Sequence, residues 1–469
     1  MSADFPKHWN LLTLEDAVDA IIDYRGKTPK KTTFGIPLIT AKIVKNGRID
    51  TPTEFIAYDD YASWMTRGLP LVGDVIVTTE APLGEVAQIT NAKIALAQRI
   101  VTLRGKKGIL NNDYLLCVMQ SKFVQDQLEA RSSGSTVRGI KQSELRKVIL
   151  PIPPETEQIR IANHVLTLSK KIELNTQTNK TLESIAQAIF KSWFVDFEPV
   201  KAKMTVLAEG GTREQAELAA MSAISGKSEA ELAQLQQQNS GHYQQLAETA
   251  ALFPCAMVDS ELGEIPEGWE VKHLKELTSE IKRGISPKYS EELGTLVINQ
   301  KCIRNHKIDF SLCRLNDSEK KSIKGRELKV GDVLINSTGV GTLGRLSPIR
   351  YLPEPCTFDS HVTLARPDET LITPQFLAGF LLENETFIES SGAGSTGQTE
   401  LNRQVIEELR LAYSGKKIIS CYENMAKPIS DKIAFLENEI KTLAKLRDSL
   451  LPKLLSGEID LSDIQSEVA

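Results

Sequence analysis

The sequence predicts an α+β fold built as a pseudo-twofold internal repeat, in which two mixed α/β domains alternate with two long helices that pair as a coiled coil. GSTVRGIKQSELRKVILPIPP begins at Gly134, and the similar stretch GSTGQTELNRQVIEELRLAYS begins at Gly394. The segments that precede the two stretches are also alike, and a long helical pattern follows each of them. Self-similarity over so long a period is typical of a duplicated architecture.

Each repeat opens on a tryptophan. FPKHWNLLTLEDAVDAIIDYRG (5–26) matches IPEGWEVKHLKELTSEIKRG (265–284), and we predict a helix from each Trp to the Arg-Gly pair. GDVIVTTEAPLGEVAQI (73–89) then matches GDVLINSTGVGTLGRLSPI (331–349), and both predict a β-hairpin. Helices are predicted around DYLLCVMQSKFVQDQLEAR and PQFLAGFLLENETFIES. The two domains are expected at residues 1–154 and 263–415.

Two long helices are predicted at residues 155–195 and 416–460, and they align without a gap at an offset of 261. Apolar residues recur at spacings of four and three, which is typical of a coiled-coil seam. The alternative is that each is a core helix of its own domain. Asn175 and Asn179 also fall on the seam, and we favour an antiparallel pairing because a parallel one would place them opposite apolar residues. The predicted seam comprises Ile161, Val165, Leu168, Ile172, Leu182, Ile189 and Trp193, with Ile433, Leu436, Ile440, Leu443 and Leu450.

Residues 196–262 have no counterpart in the repeat. TREQ at 212–215 and SEAE at 228–231 are capping boxes that each open an Ala/Leu/Gln-rich helix. The low aromatic content and polar faces favour a solvated helical linker over a catalytic domain.

No catalytic constellation is found in the sequence. GVGTLG (339–344) and GAGSTG (392–397) match GxGxxG, but neither lies between a strand and a helix, so tight turns explain them better. No P-loop, no HExxH and no [DNS]PP[YFW] methyltransferase signature occurs, and the six cysteines form no CxxC. We therefore expect no metal and no cofactor in this chain.

Local positive charge is the remaining functional signal. The net charge is −5, yet residues 282–329 contain twelve Lys or Arg against six acids. Such runs are more often solvated faces, but here they accompany small polar residues at positions that recur in both repeats. Phosphates attract cations and hydroxyls, and base edges attract amides and arginine. The candidates for DNA contact are Lys27, Lys30, Thr40, Lys42, Thr78, Thr79, Ser135, Thr136, Arg138, Lys141, Lys282, Asn299, Lys301, Arg304, Ser337, Thr338, Ser395 and Thr396.

The amino-acid sequences at the helix boundaries resemble those of a known family. PIPPETEQIRIANHV (151–165), FKSWFVDFEPVKAKM (190–204) and LFPCAMVDSELGEIPEGWEV (252–271) are similar to the specificity subunits of type I restriction-modification enzymes. One departure is LRLAYSGKK, which lacks the Ile-Pro-Pro of the first repeat. The resemblance implies a subunit without an active site, whose two target recognition domains each read half of a split double-stranded DNA sequence. It also implies helices that separate the domains and dock two modification subunits, which bind S-adenosylmethionine, and restriction subunits that use ATP and Mg²⁺.

Two alternatives stay open: a self-sufficient DNA methyltransferase, and a coiled-coil scaffold without DNA contacts. The longest strongly apolar stretch, FLAGFLL at 376–382, is far shorter than the roughly 20 residues of a membrane span, and the N-terminus lacks the features of a signal peptide. We therefore expect a cytoplasmic protein with no membrane partner.

Overall fold

The computed structural model describes residues 5–45, 47–134, 137–392 and 400–459. The chain forms two compact units: the first comprises the chain up to Thr176 together with the chain from Asn438 on, and the second comprises Gln177–Glu437. Ser135, Thr136, Ser395 and Thr396 lie outside the described residues, as does most of GAGSTG.

The first unit contains eleven described strands and the first helices of the chain. The strands are β1 (Asn10–Thr13), β2 (Val18–Asp23), β3 (Ile36–Ile39), β4 (Val44–Lys45), β5 (Arg48–Ile49), β6 (Phe55–Ile56), β7 (Val75–Thr79), β8 (Leu83–Gln88), β9 (Ala95–Leu96), β10 (Ile100–Gly105) and β11 (Ile149–Ile152). The helices are α1 (Leu14–Ala17), α2 (Tyr61–Trp64), α3 (Asn112–Gln120), α4 (Lys122–Ala130), α5 (Gln142–Leu145) and α6 (Glu155–Phe194), whose later part belongs to the second unit.

A four-stranded antiparallel sheet in the order β2-β10-β7-β8 is the centre of the first unit. Every residue of β7 is buried, because this apolar strand pairs on both sides and is covered on both faces. A second sheet, β6-β3-β9, includes the parallel pair β3–β9. β11 closes the unit by pairing with β1.

The second unit begins with helices and continues with strands. The helices are α7 (Glu198–Ala208), α8 (Arg213–Ser225), α9 (Glu229–Gln238), α10 (Ser240–Ala251), α11 (Pro374–Glu383), α12 (Glu385–Ser390), α13 (Arg403–Glu407) and α14 (Lys416–Ser456), whose last part belongs to the first unit. The strands are β12 (Met257–Ser260), β13 (Gly263–Pro266), β14 (Glu270–His273), β15 (Thr278–Arg283), β16 (Tyr289–Ser290), β17 (Thr295–Ile298), β18 (Ile303–Arg304), β19 (Lys307–Ile308), β20 (Arg314–Asn316), β21 (Val333–Asn336), β22 (Leu346–Pro348), β23 (Cys356–Phe358), β24 (Val362–Pro367) and β25 (Arg410–Tyr413).

The sheets of the second unit repeat those of the first. The order β15-β24-β21-β22 corresponds to β2-β10-β7-β8, and the parallel pair β17–β23 corresponds to β3–β9. The closing pair β14–β25 corresponds to β1–β11. The predicted α+β fold and internal repeat are therefore confirmed, and so are the two hairpins, β7–β8 and β21–β22.

The predicted helices from each Trp to the Arg-Gly pair are wrong. In the first unit only Leu14–Ala17 is helical, and the chain then enters strand β2. In the second, a single 3-10 turn at Leu274–Glu276 precedes strand β15. These edge strands pair with β10 and β24, so sheet pairing overrides the local preference of the sequence.

The two long helices run antiparallel wherever they meet within a unit. In the first unit Asn175 Nδ2 donates to Glu439 Oε2 at 2.8 Å, and Ile161 shares a hydrophobic cluster with Leu454. In the second unit the rings of Phe190 and Tyr422 lie 5.8 Å apart. All predicted seam side chains are buried or half-buried. The contacts of Asn175 with Glu439 and of Ile161 with the Leu454 cluster agree with the favoured antiparallel pairing.

The helical insert is not a solvated linker, and that expectation is wrong. Both predicted capping boxes are present, at Thr212 and at Ser228. The helices nevertheless bury Ala220 and Ile224 in the same hydrophobic cluster as Trp193. The buried face of α8 combines Ala216, Ala220, Met221 and Ile224 at helical spacing, so low aromatic content and polar faces did not indicate exposure. Among the described helices, none is long and apolar enough to cross a membrane.

Candidate nucleic-acid interface

Each unit contains a short hairpin of basic residues that packs against one of its sheets and buries one apolar residue, Val44 or Ile303. Strands β18 and β19 pair Arg304 with Lys307, and the two turn residues between them, Asn305 and His306, have φ angles of 50° and 57°. Such a two-residue turn with positive φ matches the twist of its strands and holds their ends firmly. The side chains of Lys301 and Arg304 are exposed beside it.

The first unit repeats this hairpin with strands β4 and β5, which pair Lys45 with Arg48. Gly47, in the turn, has a φ of 82°, a conformation that glycine adopts without strain. Lys42 and Lys45 are exposed, as Lys301 and Arg304 are in the second unit. Two equivalent basic hairpins are suited to contact two similar stretches of a polyanion.

Several predicted contact residues are buried instead. Thr78 and Thr79 end the buried strand β7, and the Thr78 hydroxyl accepts a hydrogen bond from Glu85 N at 2.9 Å. The hydroxyl groups of Ser337 and Thr363 lie 2.6 Å apart within the second unit. The structure therefore disfavours direct DNA contact by Thr78, Thr79 and Ser337, because these three side chains are buried.

The side chains of Asn299 and Thr338 form hydrogen bonds within the second unit. Asn299 Oδ1 accepts from Lys301 N at 2.9 Å and so orients the start of the basic hairpin. The Thr338 hydroxyl donates to Gln300 Oε1 at 2.9 Å. Lys282 is paired with Glu280 at 2.6 Å, so part of its charge is neutralised.

The remaining candidates that the structure describes are accessible. Thr40 is half-buried. Lys42, Lys301 and Arg304 are exposed, as stated above, and so are four more candidates. These four are Lys27, Lys30, Arg138 and Lys141.

Sequence reasoning missed an arginine pair that occurs once in each unit. Arg67 donates through one guanidinium nitrogen to the carbonyl oxygens of Asp23 and Arg25, at 3.1 and 2.7 Å. In the second unit Arg326 Nε donates to the carbonyl oxygen of Arg283 at 2.9 Å. The available signal was the Arg-Gly that ends both opening segments. The arginine that binds this Arg-Gly segment, Arg67 or Arg326, is more than 40 residues away in sequence, so only the fold brings the two arginines together.

A second duplicated arginine supports the sheets. Arg104 donates two hydrogen bonds to the buried carboxylate of Asp74, both at 2.8 Å. Arg366 does the same to Asp332, at 2.6 and 2.7 Å. These bonds raise the pKa of both guanidinium groups. The two carboxylates are 1% exposed, so the pairs lie inside the units and stabilise them instead of contacting a ligand.

Buried charge also joins the second unit's sheets to the helices within that unit. Arg350, 8% exposed, lies 3.6 Å from Glu183 of α6 and 4.0 Å from Glu437 of α14. Burial raises the pKa of Glu437, although Arg350 and Lys307 oppose that shift. His306 contacts Glu385 at 2.6 Å, which raises the pKa of the imidazole.

The described residues contain no group of three His, Cys, Asp or Glu side chains that could hold a metal ion. Burial raises the pKa of the Cys117 thiol to about 12, which makes this cysteine a poor nucleophile at neutral pH. The functional candidates on the described surface are its exposed cations and oriented polar groups.

Comparisons with known proteins give a family model and sequence relatives. Residues 6–184 match the family model described as the type I restriction modification DNA specificity domain. The chain is 33% identical to the HindI specificity subunit of Haemophilus influenzae over 74% of this chain and 76% of that protein. It is 25% identical to the MjaIX specificity subunit of Methanocaldococcus jannaschii over 98% of this chain and 95% of that protein.

A solved structure shares the fold. The S subunit of a type I restriction-modification system from M. genitalium superposes with a TM-score of 0.51, over 97% of both chains and at 15% sequence identity. The family suggested by the helix-boundary sequences is confirmed: the chain belongs to the specificity subunits of type I restriction enzymes.

Proposed function

We propose that this chain gives a type I restriction-modification complex its DNA sequence specificity by reading a bipartite double-stranded target, one half with each unit. The observation that carries the proposal is the duplicated basic hairpin, with Lys42 and Lys45 exposed in one unit and Lys301 and Arg304 in the other. Two readers of one fold with different side chains suit two half-sites of different sequence, because side chains at base edges determine specificity.

The same proposal assigns catalysis to partner subunits. We assign methyl transfer and S-adenosylmethionine to two modification subunits docked on the long helices, and ATP and Mg²⁺ to restriction subunits. This chain then acts in the cytoplasm as a non-catalytic DNA-binding subunit. We also keep the recognition domains at residues 1–154 and 263–415 as a proposal, with the insert at 196–262 between the helix and the second domain.

The two alternatives differ from this proposal in one feature each. A self-sufficient methyltransferase needs a cofactor site, and the sequence lacks the methyltransferase tetrapeptide. A scaffold without DNA contacts gives no reason for two equivalent basic hairpins.

The test is methylation mapping in a host that lacks other modification enzymes. The chain alone is expected to leave the genome unmethylated, whereas the chain expressed with its modification subunits is expected to methylate adenine within one bipartite motif. Methyl transfer by the purified chain alone supports the methyltransferase alternative. A complex that neither binds nor methylates a motif supports the scaffold.

A further inference from the structure

Among the described residues, Arg67 and Arg326 each keep at least one guanidinium nitrogen without a hydrogen bond or ion pair. Arg67 uses one nitrogen for the two main-chain carbonyls, and its side chain is exposed. Arg326 binds the main chain through Nε and one terminal nitrogen. An arginine fixed by backbone carbonyls keeps its fork in a defined direction, which suits a planar oxyanion such as a phosphodiester.

The second pair borders an open cavity of about 780 Å³. Its described lining comprises Lys282, Arg283, Arg326, Arg403, Gly284 and Asn402, with Glu400 as the one carboxylate among these described residues. The lining thus carries the charge, donor groups and space that a backbone phosphate requires.

The two pairs differ in their counter-ion. Glu400 Oε1 lies 2.7 Å from Arg283 Nη1, and the Glu400 side chain is 62% exposed, so it is free to move into solvent. In the first unit Asp23 stands 3.9 Å from Arg25 Nε and is only 10% exposed. Its other carboxylate oxygen accepts from Arg25 N at 2.8 Å, which fixes the group in place.

We propose that each arginine pair is a phosphodiester-binding site for DNA, and that Glu400 occupies the second site until a phosphate displaces it. The proposal rests on the proposed function, since it takes DNA as the ligand of both units. A phosphate oxygen can replace the single Glu400 oxygen on Arg283 Nη1, and an exposed ion pair is weak enough to exchange. The second unit therefore binds DNA against an internal competitor, whereas the described part of the first unit has no such movable carboxylate at its pair.

The decisive variants form a double-mutant cycle. Glu400→Gln keeps the side-chain size but removes the competitor, so affinity for DNA is expected to rise by about three- to fivefold. Arg283→Ala is expected to weaken binding and reduce the salt slope by about one. In the doubly substituted protein the gain from Glu400→Gln is expected to vanish, because the arginine that it frees is absent.

Two further variants separate binding from folding. Arg283 Nη2 donates to Leu401 O at 2.7 Å, so Arg283→Ala also removes a structural bond. Arg283→Lys keeps the charge without the fork and is expected to give intermediate affinity. Glu408→Gln is the matched control, because it removes a half-exposed carboxylate paired with Lys275 at 3.1 Å elsewhere in the same unit.

Binding is measured by fluorescence anisotropy on the full chain in complex with its modification subunits. Two probes are used, the duplex found by methylation mapping and a random-sequence duplex, each over a salt series. Stronger binding by Glu400→Gln on both probes, absent in the double variant and in Glu408→Gln, supports the proposal. An unchanged or weaker Glu400→Gln, an equal gain in the control, or a gain that persists without Arg283 overturns it.

The random-sequence duplex keeps this test separate from the proposed function. If no bipartite motif is methylated, the proposed function fails while the cycle is still measured on that probe. If the motif is methylated and the cycle is additive, only the arginine sites fail.

Discussion

Replacing Asp332 by alanine should destabilise the second unit strongly. Its carboxylate is 1% exposed and receives two hydrogen bonds from Arg366, at 2.6 and 2.7 Å, and one from Lys329 N at 2.7 Å. Removing one partner of a buried ion pair leaves the other charge uncompensated, which typically costs about 3–5 kcal/mol. Arg366 keeps a second carboxylate, Glu280 at 3.0 Å, so we expect the lower end, about 3 kcal/mol.

The first unit offers the same experiment without that second partner. Asp74 is bound by Arg104 and by Leu71 N, and no other carboxylate forms an ion pair with Arg104 among the described residues. Asp74→Ala should therefore cost more, about 4 kcal/mol. Asp431→Ala is the control, because its pair with Lys427 is 63% and 58% exposed and should contribute about 0.5 kcal/mol or less.

Hydrogen exchange followed by mass spectrometry locates each effect. Asp332→Ala should speed exchange in β21 and β24, at Val333–Asn336 and Val362–Pro367, more than in β7 and β10. Asp74→Ala should do the reverse. Urea unfolding gives the free energies. If either buried substitution costs no more than Asp431→Ala, the duplicated arginine-aspartate pairs do not stabilise the units and the reasoning is refuted.

Further outcomes follow from other sites. Arg350→Ala should destabilise the protein, and more so at high pH. Burial raises the pKa of Glu437 and Arg350 opposes that rise, so without Arg350 the folded pKa lies further above the unfolded one and more stability is lost as pH rises through it. Urea unfolding at about pH 5 and about pH 8 checks the sign, and an equal loss at both contradicts it. Cys117 should resist alkylation at neutral pH in the native protein and react after unfolding, as peptide mass spectrometry can show; rapid native labelling would refute its burial. Lys301→Ala or Arg304→Ala should weaken DNA binding with a salt slope lower by about one for a phosphate contact, or cost roughly 1–3 kcal/mol at one base for a base contact; unchanged affinity and specificity for both would refute the assignment.

The repeat was predictable because duplication preserves spacing and turn residues. The Gly-Asp that opens each hairpin and the capping residues Thr212 and Ser228 have local mechanisms, and the structure has both features. The opening helices failed because β2 and β15 are held by strands that lie far away in sequence, which no local pattern encodes.

The candidate site was predictable only in part. The sequence analysis placed the polar residues near Gly turns in loops. Thr78 is buried because β7 extends to Thr79, and Ser337 is buried because it directly follows β21. The arginine pairs were missed because their partners are separated by 42 and 43 residues, and only the folded chain shows that they are neighbours. Charge counts locate a basic region, but the orientation of a guanidinium depends on the backbone groups that hold it.

The most direct test of the central claim is an exchange of one recognition domain. Residues 1–154 are replaced with the matching domain of another specificity subunit, and genomic methylation is mapped in a host that also expresses the modification subunits. The account predicts that one half of the bipartite motif changes to that of the donor while the other half is retained. A change in both halves, or in neither with an active complex, would contradict the claim that each unit reads its own half-site.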